Sequence, residues 1–308
     1  MSVVIISHPS CAQHLSPEGH PECPERLDAI HNQLIASGLE FVISEYDAIP
    51  ANDKQLRAVH EANYLESLEG LAPAKGVRLL RDDVWMSPGT LQAARHAAGA
   101  GAQAVDLIMA GKIKTAFCNV RPPGHHAERA RAMGFCFYNN IAVAARHALD
   151  TQHLKRVAIL DFDVHHGNGT QDIFFDEPRV LFCSTFQHPF YPGTPYQTGR
   201  EHIINAPLAA TAKGEEFRDA VTEHWLPALE AFAPEMLFIS AGFDAHLLDD
   251  MSSIGLVEQD YQWVTEQLRG YMDDHEQCLG IVSMLEGGYD LPSLGRSAVA
   301  HIKALGKL

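Results

Sequence analysis

Residues 161–166 read "DFDVHH", two carboxylates and two imidazoles at the end of the apolar run "RVAIL". Side chains alternate along a strand, so Asp161, Asp163 and His165 share one face if the strand continues through them. Carboxylates with an imidazole form an ordinary ligand set for a divalent ion. A second apolar run, "PEMLFISAGFDAH", delivers Asp244 just after Gly242, which lets the backbone turn closely. Two carboxylates and one imidazole nearly neutralise a 2+ ion and leave a position open for water or substrate. Charge at the end of a buried strand is costly, and a bound cation would offset it. Taken singly, each of these residues would serve equally well as a strand-end cap or salt-bridge partner. Recurrence at two strand ends is what points to a metal.

Two further strand ends add the remaining parts of a hydrolytic site. In "TAFCNVRPPGHHAERARAMGFCFYNN", His125 and His126 follow a stiff Pro-Pro-Gly turn. In "SMLEGGYD", Tyr289 stands behind two glycines, where a phenol can swing inward. Metal-assisted acyl-bond hydrolysis needs a metal to activate water, a base to take its proton, and a donor for the oxyanion.

The elements that must position these residues are legible as an alternation. Short apolar runs at 3–7, 41–46, 114–120, 157–162, 180–185, 236–241 and 279–285 read as strands. Amphipathic stretches at 24–37, 88–110, 139–149, 215–232, 258–274 and 291–305 read as helices. Ser87 before Pro88 suits a helix start, and Gly38 and Gly111 suit helix ends. Such alternation, with near-continuous apolar strands, predicts an α/β fold with a parallel sheet covered on both faces. Ligands in such sheets bind at the carboxyl ends of the strands, where the polar clusters fall. No linker or repeat interrupts the chain, so one domain over residues 1–308 is expected.

Composition narrows the function. The formal net charge of −16 argues against a nucleic-acid face and against docking on anionic lipid. None of the six cysteines forms a C-x-x-C pair, which predicts reduced thiols and neither a disulfide frame nor a zinc ribbon. The start "MSVVIISHPS" lacks the basic region of a signal peptide, and no apolar run reaches the roughly 18 residues of a membrane span. A cytoplasmic protein with no membrane partner is the expectation.

The motifs "RPPGHHA", "GFCFYNN", "LDFDVHHGNGT", "SAGFDAH" and "EGGYD", with "GHPECPERL" and "SPGTLQAA" before them, resemble the zinc-dependent histone deacetylase superfamily. That superfamily includes acetylpolyamine amidohydrolases and bacterial deacetylase-like amidohydrolases. The resemblance runs from His8 to Tyr289. It implies the arginase/deacetylase fold, a single domain with an eight-stranded parallel sheet between helices. Carried over by position, it implies zinc ligands at Asp163, His165 and Asp244. Asp161 would orient His125, while His126 would be the general base and then the acid for the leaving amine. Asn168 would support His126, as in the class II branch. Tyr289 would donate to the carbonyl oxygen; class IIa members carry His there and are poor deacetylases.

The resemblance also implies an acyl-lysine tunnel walled by Gly134 and Phe135 on one side and Tyr191 or Phe190 on the other. It assigns Asp83 to the rim and Arg26 to a channel behind the zinc. A structural potassium site would use Asp161, Asp163, His165, Ser184 and Thr185. A second would use carbonyls near Phe174, Glu177 and Val180. Polyamine-specific members carry an acidic gatekeeper seven residues after the last zinc aspartate, where this chain has Met251. The substrate expectation is therefore an acetyl-lysine peptide or protein, or a small acylated amine. Alternatives are an acetylpolyamine amidohydrolase, favoured by the adjacent Asp249 and Asp250, or a non-catalytic acyl-ligand sensor. An arginase-type ureohydrolase ranks low, because it needs a further aspartate where His246 stands. Oligomeric state and the native metal are left open.

Overall fold

The computed structural model describes residues 3–308. Its strands are β1 (Val4–Ser7), β2 (Ser44–Asp47), β3 (Arg78–Arg81), β4 (Val84–Met86), β5 (Thr115–Cys118), β6 (Val157–Asp161), β7 (Val180–Gln187), β8 (Ile203–Leu208), β9 (Leu237–Ala241) and β10 (Ile281–Leu285). Eight of them form one sheet in the order β2-β1-β5-β10-β9-β6-β7-β8. Every pairing in it is parallel. β3 and β4 make a separate antiparallel hairpin.

Alternate residues of each central strand enter two different cores, one per sheet face. Ile159 packs with Ala97, Ala104 and Ile141 on one side. Its neighbours Ala158 and Leu160 pack with Ile30, Val264 and Ile302 on the other. Strands buried on both faces must be apolar throughout, which is why they stand out in the sequence. Helices Thr90–Met109 and Asn140–Asp150 cover the first face; Glu25–Ala36, Glu258–Asp274 and Leu291–Gly306 cover the second. The Ala/Gly-rich face of Thr90–Met109 permits close approach: a Cβ on Gly99 would sit 1.9 Å from the Ile49 carbonyl oxygen.

Several elements depart from expectation. The stretch 41–46 begins as a 3-10 turn, Leu39–Phe41, after Gly38 takes φ +72° to end the preceding helix. Only Ser44–Asp47 pairs as the exposed edge strand β2. β8 was not expected, because Pro207 interrupts its apolar run; a strand at the sheet edge tolerates a residue without an N–H. The helix expected at 215–232 is Gly214–Ala220 and Leu226–Phe232 joined by a π turn, Val221–Trp225. Pro227 removes a backbone donor there and shifts the ladder. Ser87 does not cap its helix, which begins at Thr90 behind Gly89. Its hydroxyl accepts the Leu15 N–H at 3.0 Å instead.

All six cysteines are free. No helix among the described residues is long and apolar enough to cross a membrane.

Candidate active site

The strand β6 does not persist through the motif that follows it. It ends at Asp161, and residues 162–167 run as irregular backbone held by the aspartates themselves. Asp161 Oδ1 accepts the Asp163 N–H at 3.1 Å, and Asp163 Oδ1 accepts the His165 N–H at 2.9 Å. These local turns replace the strand periodicity expected from sequence, yet they bring the same side chains together.

Asp163, His165 and Asp244 each offer a ligand atom, all within 4.8 Å of one another and all buried. His165 Nδ1 lies 3.1 Å from Asp163 Oδ1 and 3.2 Å from Asp244 Oδ2. The Asp244 Oδ2 contact lacks hydrogen-bond alignment, so this oxygen is buried with no hydrogen-bond partner. Burial disfavours charge here, and Asp163 adds repulsion, so Asp244 is pushed up to about 6. Burial also works against a charged His165, but the two carboxylates outweigh it and raise the ring to about 10. A proton on His165 thus stands where a cation would balance the carboxylates. An orphaned buried oxygen, two carboxylates and one imidazole fit a divalent ion. Glycines make the packing feasible: a Cβ on Gly242 would lie 2.1 Å from Asp163 Oδ2, and one on Gly287 would lie 2.1 Å from Asp244 Oδ2.

Asp161 faces the histidine pair and is absent from the ligand cluster. His125 Nδ1–H donates to Asp161 Oδ2 at 3.0 Å. Burial opposes a charged His125, but Asp161 and Asp163 raise it well above the ordinary histidine value. His126 differs. Burial, then His125 and His165, hold it well below that value, while Asp163 and then its bond to Asn168 pull the other way. Asn168 Nδ2 donates to Glu128 Oε1 at 2.8 Å, so its Oδ1 faces His126 Nδ1 at 2.7 Å. The His126 proton therefore sits on Nδ1, leaving the Nε2 lone pair free. Glu128 is itself gripped by Arg131, with contacts of 2.9 and 2.6 Å.

A cavity of about 340 Å³ reaches this cluster, lined by Asp83, His126, Gly134, Phe135, His165, Phe190, Tyr191, Asp250, Met251 and Tyr289. Phe190 stacks on His165 at 5.4 Å between ring centroids. Tyr191 meets His126 edge-on at 5.2 Å, so both aromatic residues contribute. Phe135 meets Tyr289 edge-on at 5.9 Å. Gly134 takes φ +54°, and a Cβ there would lie 2.3 Å from His126 Cδ2. Asp83 is half-buried, and its Oδ1 has no hydrogen-bond partner.

Arg26 is fully buried and does not line this cavity. Its Nε donates to the Gly288 carbonyl at 2.6 Å and Nη2 to the Glu286 carbonyl at 2.5 Å. Its guanidinium carbon lies 5.0 Å from the Tyr289 ring centroid. It therefore braces the tyrosine loop from behind. Behind it, Glu22 accepts from Arg26 at 3.2 Å and from Arg121 Nε at 2.5 Å.

Among the residues of the implied potassium sites, Ser184 lies beside Asp161 in the β6–β7 register. Its Oγ is buried without a partner. Thr185 is buried on the same strand. The Phe174 and Glu177 carbonyls already accept the N–H groups of Glu177 and Val180, at 3.0 and 3.1 Å.

Three functional neighbours escaped the sequence reading. Glu286 is fully buried, and its Oε2 accepts the N–H groups of Gly124 at 2.7 Å and His125 at 3.1 Å. Burial pushes it up to about 7. Glu128 and the Glu22–Arg121 pair are the others. Their signal lay inside the quoted motifs "EGGYD", "GHHAE", "HPECPERL" and "RPPG", as charges with no evident solvent role.

Residues 20–305 match the histone deacetylase domain model. The chain is 35% identical to the histone deacetylase-like amidohydrolase of Pseudomonas aeruginosa, over 93% of this chain and 78% of that one. It is 37% identical to the protein slr0245 of Synechocystis sp., over 98% and 99% of the two chains. The solved HDA15 HD domain superposes with a TM-score of 0.91 at 33% identity, covering 99% of this chain and 88% of that one. The fold and site define a hydrolase with the arginase/deacetylase fold. The chain belongs to the histone deacetylase family.

Proposed function

We propose that the protein is a zinc-dependent amidohydrolase that removes acetyl or other short acyl groups from the side-chain amine of acyl-lysine. The whole chain, residues 1–308, would act as one cytoplasmic catalytic domain. The observation that carries this reading is the convergence of Asp163, His165 and Asp244 on one point, at the end of a cavity that also holds His126 and Tyr289. Those three residues would hold the ion, which when bound polarises the carbonyl and activates water.

His126 Nε2, unprotonated and facing the cavity, takes the water proton and returns it to the leaving amine. Asn168 holds the ring in the tautomer this requires. Asp161 keeps His125 charged beside it, where the imidazolium stabilises developing negative charge. The Tyr289 hydroxyl donates to the oxyanion; burial holds its proton well above the ordinary phenol range, so it is always present to donate. Phe135, Tyr191, Phe190 and Met251 would wall a thin methylene chain, each buried CH₂ contributing about 0.8 kcal/mol. Asp83 would hold substrate backbone amides at the rim. Ser184 Oγ, buried and unpartnered, supports a structural K⁺ beside Asp161.

Met251 lines the cavity where polyamine-specific relatives carry an acid, which favours acyl-lysine over acetylpolyamines. The ureohydrolase alternative loses support, because His246 turns toward Glu258 at 3.6 Å and joins no ligand group among the described residues. The test is turnover of an acetyl-lysine reporter by Tyr289→Phe and His126→Ala. Both should lose at least about a hundredfold in kcat with the metal still bound. Near wild-type rates in either variant would overturn these roles.

A further inference from the structure

Gly134, Phe135, Phe190, Tyr191 and Met251 give the cavity an uncharged wall, beside which stand two carboxylates, Asp250 exposed and Asp83 half-buried. Asp250 and Asp83 both line it, and no lysine or arginine does. Of the arginines close in sequence to the lining residues, Arg81 pairs with Asp82 and Arg131 with Glu128, while the Arg129 guanidinium donates to the Asp172 and Ile173 carbonyls. Asp249 and Asp250 are adjacent yet differ in what they do. Asp249 is buried, and its oxygens accept the N–H groups of Tyr289 at 2.6 Å, Asp290 at 3.1 Å and Met251 at 2.9 Å. Its charge belongs to the fold of the tyrosine loop. Asp250 is exposed at the cavity.

We infer that Asp250 is a specificity residue, selecting acylated amines that carry a second positive charge just outside the cavity. This rests on the deacylase reading above and deepens it. The neutral acylated chain enters among Phe135, Tyr191 and Met251, where a charge would be desolvated at a cost. A cation one chain length away meets Asp250, with Asp83 adding to the field. The recognised group is an ammonium or guanidinium. It can come from a basic residue flanking an acyl-lysine or from the free end of an acylated diamine. Met251, next to Asp250, offers no charge for that group, so the preference rests on Asp250 with Asp83 behind it.

The experiment compares kcat/KM for three acetyl-lysine tripeptides that differ only in the flanking residue, Arg, Gln or Glu. Acetylputrescine against N-butylacetamide makes the small-molecule arm. Wild type should favour Arg over Gln by about three- to fivefold, the range of an exposed ion pair, with Glu poorest. The preference should vanish in Asp250→Asn, invert in Asp250→Lys and shrink in high salt. A preference confined to the peptides assigns the cation to a flanking residue; one confined to acetylputrescine assigns it to a diamine. No charge preference in wild type, or one unchanged by Asp250→Asn, overturns the inference while leaving deacylation standing. Absence of all turnover would instead sink the deacylase reading. Calorimetric Kd values for the same peptides would then decide the charge preference, with the same ordering expected and equal affinities contradicting it.

Discussion

Arg26 and Tyr289 form a stacked pair, guanidinium carbon to ring centroid 5.0 Å, and the same arginine bonds the carbonyls on either side of Gly287. The phenol is thus held by a residue 263 positions away in sequence that never reaches the cavity. Arg26→Met removes the stacking and leaves two buried carbonyls unbonded, at about 1–3 kcal/mol each. Urea unfolding should show a loss of about 2–5 kcal/mol. Turnover should fall more steeply than metal content, because the loop that moves carries Tyr289 and none of Asp163, His165 and Asp244. Unchanged stability would refute the bracing role.

Asn168 joins His126 to Glu128, and a change of charge there should move the pH profile. His126 works as a base only when neutral, and burial holds it well below its ordinary value, so activity should persist into mildly acid pH. Asn168→Asp places a carboxylate against the ring and raises its affinity for protons. The acid limb of kcat/KM should therefore shift to higher pH. A limb that stays put would mean another group sets it.

Phe135 adopts φ +64°, a left-handed conformation that costs a bulky residue about 1–2 kcal/mol. Such strain in a cavity wall is retained for what the side chain does there. Phe135→Gly relieves the backbone and removes the aromatic wall. Melting temperature should change by only a few degrees, while KM for acetyl-lysine peptides rises about tenfold or more. A large loss of stability with KM unchanged would make Phe135 a packing residue.

His60 makes stability fall in acid. It bonds the Glu128 carbonyl through Nδ1 and accepts the Asn139 N–H at Nε2, both at 2.9 Å, an arrangement open only to the neutral ring. Burial lowers it to about 4. Unfolded, the same ring binds its proton near pH 6.5, so the unfolded state gains protons first as pH drops. Stability is whole above pH 6.5 and should decline by about 1.4 kcal/mol per pH step until the folded ring titrates near 4. His301, lowered to about 3 by burial, adds to this. Urea midpoints measured across that window should fall less steeply for His60→Asn. Equal slopes would remove His60 from the acid response.

The sheet and the ligand set were legible because both rest on local regularity. A strand buried on two faces must be apolar throughout, so β5, β6, β9 and β10 announced themselves, and the charges at their ends stood out. β8 hid because Pro207 breaks the pattern, and only its edge position excuses the proline. The strand geometry assumed for residues 161–165 was wrong in detail: Asp161 and Asp163 bend the backbone through their own side chains. Glu286, Glu128 and the Glu22–Arg121 pair were missed for a different reason. A buried carboxylate looks like any surface acid until its partners, up to 162 residues away, are known.

The most direct test measures metal and turnover together. Wild-type protein, stripped by chelation and reloaded with Zn²⁺, should retain one ion per chain and release acetate from an acetyl-lysine peptide. Asp244→Asn should lose both, with the fold intact by circular dichroism. If wild type holds no ion at this site, or if Asp244→Asn cleaves the peptide at the wild-type rate, the convergence of Asp163, His165 and Asp244 has been misread.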